Sequence, residues 1–175
     1  RKSLYNKTLE FDLTQGFPLT TFKRTFFKSI LEELLWMLRG QTDVKILKKV
    51  GVNIWNKNSS KEYHILNNLN LEEDDIGPGY GFQMRHCGAE YINCRTNYVG
   101  KGLDQINYII NCLNNNPTSS RMVLSLWNPI DLNKMALPPC HVLYIFSVEL
   151  YSNPILGKKG KLHCSLTQRS WDILL

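Results

Sequence analysis

Leu137-Pro138-Pro139-Cys140-His141, continued by Val142-Leu143-Tyr144-Ile145-Phe146 and answered by Gln168-Arg169-Ser170-Trp171-Asp172, decides how the chain is read. The run after Cys140 and the run 161–169 flank an interval rich in Asn, Pro, Gly and Lys, the pattern of two strands of one antiparallel hairpin. Regular pairing about Asn153-Pro154-Ile155 sets Cys140 opposite Arg169, and opposed residues share a face with Cβ atoms about 5 Å apart. A guanidinium there favours the thiolate, the form in which cysteine is a nucleophile. A slip of one residue sends the two side chains to opposite faces. Register therefore separates a nucleophile from a cysteine that merely fills space as a small apolar group.

The 175 residues, 43% of them hydrophobic and 11% aromatic, suit a single domain over 1–175 with one well-buried core. Cysteines at 87, 94, 112, 140 and 164 form an odd set without a CxxC pair, and no two of the four histidines have metal-ligand spacing. Neither a disulfide framework nor a metal site is expected, and a reducing, cytoplasmic setting is. The sequence has no run of about eighteen apolar residues, the length needed to span a bilayer, so no membrane association is expected. The formal charge of +6 favours anionic partners. Lys48-Lys49 and Lys158-Lys159 read as solvated faces, because the interleaved aromatics of a nucleic-acid groove are largely absent around them.

Along the chain, Leu9, Phe11 and Leu13 alternate with polar residues, which predicts a half-buried strand before the turn Gln15-Gly16-Phe17-Pro18. Phe27, Ile30, Leu31, Leu34, Leu35 and Leu38 form one apolar stripe of a helix stopped by Gly40. On it Glu32 has Lys28 four residues back, whereas Glu33 has no cation at helical spacing. A carboxylate at the edge of an apolar stripe has a raised pKa if buried, and merely reaches water if not. Thr42-Asp43 caps a second helix over 44–50; 56–75 reads as a surface excursion with one helical turn. The Gly77-Pro78-Gly79-Tyr80-Gly81 turn is expected to project Tyr80 from its tip. Leu103, Ile106, Ile109, Ile110 and Leu113 mark another helix, and 122–127 a buried strand. The sum is an α/β (α+β) fold, a mixed sheet with helices packed on one side.

At Pro138-Pro139-Cys140-His141 followed by Gln168-Arg169-Ser170-x-Asp172 the chain resembles thymidylate synthase. The likeness extends, in order, to Gly16-Phe17-Pro18-Leu19, Glu32-Glu33-Leu34-Leu35-Trp36, Ile54-Trp55-Asn56, Gly77-Pro78-x-Tyr80-Gly81, Arg85-His86-x-Gly88-Ala89-Glu90-Tyr91 and Met135-Ala136-Leu137. The Gly-Ala-Glu-Tyr run is similar to the eukaryotic branch. The resemblance implies a thymidylate synthase-like α/β fold and a homodimeric methyltransferase that converts dUMP to dTMP, with 5,10-methylenetetrahydrofolate giving the carbon and the hydride.

By that resemblance Cys140 is the nucleophile that adds to C6 of the uracil, and Glu33, Tyr80 and His141 handle protons and waters at the pyrimidine. Arg169 and Ser170 hold the dUMP phosphate, Gln168 lines the pyrimidine pocket, and Trp171 lies in the same nucleotide-binding segment. Asp172 faces both uracil and pterin. Arg121 reaches the phosphate in the partner subunit. Phe26, Ile54, Trp55, Asn58 and Leu175 match positions around the folate. Fusion to, or association with, a dihydrofolate reductase domain is a further implied partner.

The departures are also specific. Ser120 stands where the family has the first of two adjacent arginines, Trp171 where it usually has a small residue, and Met84 where it has a tryptophan; 151–159 makes a longer hairpin loop. The chain resembles the family only from after its phosphate-gripping arginine loop to before its pyrimidine-reading asparagine, its His-x-Tyr pair and its C-terminal lid. It is thus expected to be truncated at both ends, a fragment or degenerate copy with weak catalysis or none, and to expose apolar sheet surface. The rival expectations are a pyrimidine-nucleotide hydroxymethylase of the same superfamily, and a catalytically silent remnant that dimerises or binds RNA.

Overall fold

The computed structural model describes residues 4–19, 22, 24–153 and 157–171. Five helices precede or flank a small sheet: α1 Phe27–Leu38, α2 Val44–Lys49, α3 Lys61–Leu66, α4 Tyr80–His86 and α5 Gln105–Asn115. The strands are β1 Val123–Ser125, β2 His141–Asn153 and β3 Gly157–Gln168, in the order β1-β2-β3 with both pairings antiparallel. Helices and sheet build one core, as the α/β reading expects, around Trp36, Leu47, Ile76, Met84, Ile109, Met122, Leu124 and Leu126. The mixed sheet narrows, among the described residues, to these antiparallel strands, because the stretch around residue 10 contributes none.

That stretch is the plainest correction. Leu9, Phe11 and Leu13 lie more than half exposed in irregular chain and a short 3-10 turn at Leu13–Gln15, capped by Asp12, which accepts from the Thr14 N–H at 3.0 Å. Alternation marks a strand only where a neighbouring strand takes up its backbone groups, and none does so here.

Helix α1 begins and ends where the stripe and Gly40 place it, with Gly40 at φ +73°. Its burial falls elsewhere: Trp36 and Met37 are in the core, whereas Phe27, Ile30, Leu31 and Leu34 are each over 40% exposed. In α2, Asp43 accepts from the Lys45 N–H at 2.9 Å, the cap the sequence announces. α5 starts at Gln105, its N-cap Asp104 accepting from the Asn107 N–H, and Leu103 instead pairs across a bridge with Cys87.

The 56–75 stretch is no surface excursion. It carries α3, capped by Ser60, and buries Ser59, His64, Leu71, Asp74 and Asp75. Asp75 organises this region: its carboxylate accepts from the Gly77 N–H at 2.7 Å, the Tyr91 hydroxyl at 2.5 Å and the Cys94 N–H at 2.9 Å. Three donors satisfy a carboxylate that, among the described residues, has no ion pair.

Two glycines set the close approaches that matter for the site. Gly77, at φ +73°, lies so near the Lys134 carbonyl that a Cβ would be 2.3 Å from it, and a Cβ on Gly81 would be 2.7 Å from the Gln41 carbonyl. Backbone therefore packs on backbone, drawing the start of α4 against the end of α1 and against the 134–140 loop, where the Ala136 N–H donates to the Ile76 carbonyl at 2.9 Å.

His64 is fully buried, and among the described residues neither of its ring nitrogens has a hydrogen-bond partner. An unsatisfied buried polar group costs about 1–3 kcal/mol. His64→Leu, which keeps most of the volume, is expected to raise the urea midpoint with an unchanged m-value, equivalent to about 1 kcal/mol. A lowered midpoint would show that the ring is satisfied by ordered water.

Candidate active site

The β2–β3 ladder decides where Cys140 sits. From Leu143↔Thr167 to Asn153↔Gly157 the pairing is regular, and extending it unchanged would set His141 opposite Arg169 and Cys140 opposite Ser170. The register instead shifts between His141 and Leu143, so that His141 pairs with Gln168 and Val142 is the extra residue of a bulge. Its carbonyl is taken up by the Leu126 N–H at 3.0 Å. Cys140 therefore does face Arg169, whose N–H donates to the Cys140 carbonyl at 3.0 Å. The opposition expected from the sequence is present, produced by an irregularity that the regular pairing did not contain.

The Arg169 guanidinium is engaged one step further back. Its Nε donates to the Pro139 carbonyl and its Nη2 to the Pro138 carbonyl, both at 2.8 Å, and its Cζ lies 5.6 Å from the Trp127 ring centre. Among the described residues no hydrogen bond or ion pair joins it to the sulfur, so the side-by-side placement read from the hairpin reduces to a backbone contact. The remaining donors of the fork are free for an anion, and the side chain is exposed.

The other side of Cys140 is built by α1, α4 and the segment before α3. Tyr80 is not a ring at the tip of a turn: it opens α4 and is only 6% exposed, because the glycine contacts pull the turn inward. Its hydroxyl accepts from the Cys140 N–H at 2.6 Å. Burial above all, with the adjacent Cys140 thiol adding, pushes the phenol up to about 12. Its ring packs edge-on against Trp55 at 6.2 Å and His141 at 5.7 Å. The buried Trp55 donates its indole N–H to Glu33 Oε1 at 2.7 Å. One chain of contacts thus runs Glu33, Trp55, Tyr80, Cys140 and His141.

Glu33 is half-buried, and desolvation raises its carboxyl above the usual glutamate range, with the Trp55 indole partly offsetting the rise. Burial also lowers His141, whose Nδ1 lies 2.9 Å from the Tyr144 hydroxyl. Gln168 pairs with His141 and donates to the Ser170 carbonyl at 3.0 Å. Ser170 is half-buried, and Trp171 is 50% exposed.

Ile54 and Phe26 expose apolar surface near this cluster in sequence, Phe26 under the Arg24 guanidinium at 5.7 Å, and Asn58 is half-buried. Phe26 precedes Glu33 by two helical turns, roughly 10 Å. Ser120 and Arg121 are exposed and away from these contacts. Asp172 and Leu175 lie outside the described residues. Trp127 and Tyr144 were not singled out by the sequence: Trp127 closes a strand pattern, and regular alternation puts Tyr144 on the face opposite His141 until the bulge is known.

The family model for thymidylate synthase matches residues 1–175. The chain is similar to the bifunctional dihydrofolate reductase-thymidylate synthase of Acanthamoeba polyphaga mimivirus, 56% identical over 99% of this chain and 31% of that one. It is also similar to thymidylate synthase 1/2 of Encephalitozoon cuniculi (47% identical, 98% of this chain, 55% of that one) and to the thymidylate synthase of Herpesvirus ateles (48%, 98% and 56%). The chain belongs to the thymidylate synthase family. It spans between about a third and a little over half the length of these curated relatives.

Because folding raises the Glu33 pKa, the folded state disfavours its ionised form, and stability falls as pH climbs from the ordinary glutamate range through the folded value. Glu33→Gln removes that slope while keeping an acceptor for Trp55. Urea midpoints measured from acid to neutral pH are expected to show the variant gaining on the parent as pH rises; parallel profiles would mean that the carboxylate is not desolvated.

Proposed function

We propose that this protein acts in the methylation of dUMP to dTMP, with Cys140 as nucleophile and 5,10-methylenetetrahydrofolate as co-substrate. The observation that carries the reading is the continuous contact chain from Glu33 through Trp55 and Tyr80 to Cys140, in a chain that belongs to the thymidylate synthase family.

In this reading the Cys140 sulfur adds to C6 of the uracil and the electron pair moves toward C5 and the O4 carbonyl, a covalent route that divides one difficult step into easier ones. Glu33, whose carboxyl burial holds toward its protonated form, exchanges a proton with water at that carbonyl; Tyr80 and His141 supply neutral donors beside it. Arg169 and Ser170 take the phosphate, which fits a guanidinium fixed by two prolyl carbonyls and an aromatic ring with its outer edge open. Gln168 lines the pyrimidine site and Trp171 flanks it.

Methylenetetrahydrofolate, when bound, supplies the one-carbon unit and the hydride. The residue types fit it: Phe26 and Ile54 expose apolar surface suited to a flat ring system, Trp55 is a buried aromatic next to Ile54 in the chain, and half-buried Asn58 is a polar group. Asp172 and Leu175 join that set by their match to the family pattern.

A homodimer completes the proposal. Exposed Arg121 makes no ion pair among the described residues and suits a phosphate in the partner subunit, with Ser120 withholding a second cation. Leu162 and Leu166 on β3 are at least 40% exposed although they share a face with Val148 and Tyr144, so the sheet offers apolar surface to a second subunit. The names of the mimivirus and other bifunctional relatives support a reductase partner as well. Five free cysteines suit a cytoplasmic setting.

Incubation with 5-fluoro-dUMP and methylenetetrahydrofolate is expected to give a stable adduct at Cys140 by intact-mass analysis, absent from Cys140→Ser. No adduct on the parent would end the reading for this chain. Arg169→Lys is expected to weaken dUMP binding by about 1.5–3 kcal/mol, the scale of a charged hydrogen bond, measured by calorimetry. Deoxyuridine, which lacks the phosphate, should bind parent and variant alike; equal losses for both ligands would place Arg169 outside the phosphate site.

A further inference from the structure

Residues three apart in an unbroken strand project to opposite faces. His141 and Tyr144 are three apart on β2, yet the Tyr144 hydroxyl lies 2.9 Å from His141 Nδ1 and the rings meet edge-on at 5.9 Å and 86°. The bulge at Val142 is what allows this, because one extra residue changes the alternation and brings His141 round to the face of Tyr144. That face also carries Phe146, stacked on Tyr144 at 6.5 Å and 10°. Tyr144 has Leu124 and Leu166 as its neighbours across the two ladders. The imidazole also meets the Tyr80 ring edge-on at 5.7 Å.

We propose that Tyr144 is a positioning residue whose hydroxyl donates to Nδ1 of His141, so that the imidazole carries its proton on Nε2 and is held against Tyr80 at the Cys140 site. The geometry stands by itself; the consequence for catalysis rests on the nucleotide reading given above.

The direction of the bond follows from chemistry. A phenol is a better donor than a neutral imidazole N–H, and an imidazole nitrogen is a better acceptor than a phenol oxygen. Burial, with Cys164 nearby, pushes the Tyr144 phenol up to about 12, and burial lowers His141, so near neutrality the phenol keeps its proton and the imidazole is uncharged. The titratable neighbours around the pair are Tyr80, Cys140 and Cys164. Among the described residues His141 Nε2 has no hydrogen-bond partner, so its N–H remains available to a pyrimidine carbonyl oxygen or to a water bound there. The second nitrogen's partner determines which tautomer a functional histidine presents.

Nitrogen-15 spectra of the intact protein test this, with His141→Gln used only to identify the His141 signals. The parent is expected to show Nε2 protonated and Nδ1 as a hydrogen-bonded bare acceptor. In Tyr144→Phe the Nδ1 signal should move to that of a free acceptor, and in protein carrying 3-fluorotyrosine at 144, a stronger donor of nearly the same size, it should move the other way. The second substitution keeps the test intact if the first impairs folding. Adduct formation with 5-fluoro-dUMP should slow about fivefold in Tyr144→Phe, equivalent to about 1 kcal/mol, with nucleotide affinity nearly unchanged. A proton found on Nδ1 in the parent, or an Nδ1 signal indifferent to both substitutions, overturns the proposal. A shifted Nδ1 signal with no adduct in either protein supports the placement and removes the functional reading instead.

Discussion

A single inserted residue, Val142, holds the site together. Without it the β2–β3 ladder would run through to the start of β2 in one register, which opposes Cys140 to Ser170 and leaves His141 facing away from Tyr144. With it, Cys140 meets the Arg169 backbone, His141 meets Tyr144 and Tyr80, and the freed Val142 carbonyl is satisfied by Leu126, the residue just after β1. A bulge costs one ladder step and redirects the side chains on its N-terminal side. Here those side chains are Cys140 and His141.

The electrostatics around Cys140 follow from the same economy of charge. Burial acts in one direction on Glu33, Tyr80, His141 and Tyr144: each is pushed toward its neutral form. Neutral groups exchange hydrogen bonds at short range without the desolvation cost of a buried ion pair. The Arg169 guanidinium sits at the rim, fixed by the Pro138 and Pro139 carbonyls and by the Trp127 face. The result is a cluster of neutral donors and acceptors with a cation at its edge.

What was legible in the sequence was local. The α1 stripe and its Gly40 stop, the Asp43 cap of α2 and the hairpin flanking 154–156 each depend on residues within a few positions of one another. What was misread depended on distant partners. The alternation at Leu9, Phe11 and Leu13 had, among the described residues, no strand to join. The 56–75 stretch looked solvated because its polar residues are numerous, yet Asp75 is buried by donors from residues 77, 91 and 94, and Tyr80 is drawn inside by glycine contacts with backbone at residues 41 and 134.

Glu33 and His141 mark the boundary. The sequence by itself determined that Glu33 lacks a helical cation, that Cys140 and Arg169 belong to facing strands, and that the motifs around them are those of the thymidylate synthase family, since spacing and residue type are properties of the chain alone. Only the tertiary structure decided that Trp55, twenty-two residues from Glu33, donates to it, and that His141 shares a face with Tyr144. The physical reason is that a side chain's pKa and its face on a strand are set by what is packed against it and by where a ladder breaks step, and neither is written in periodicity.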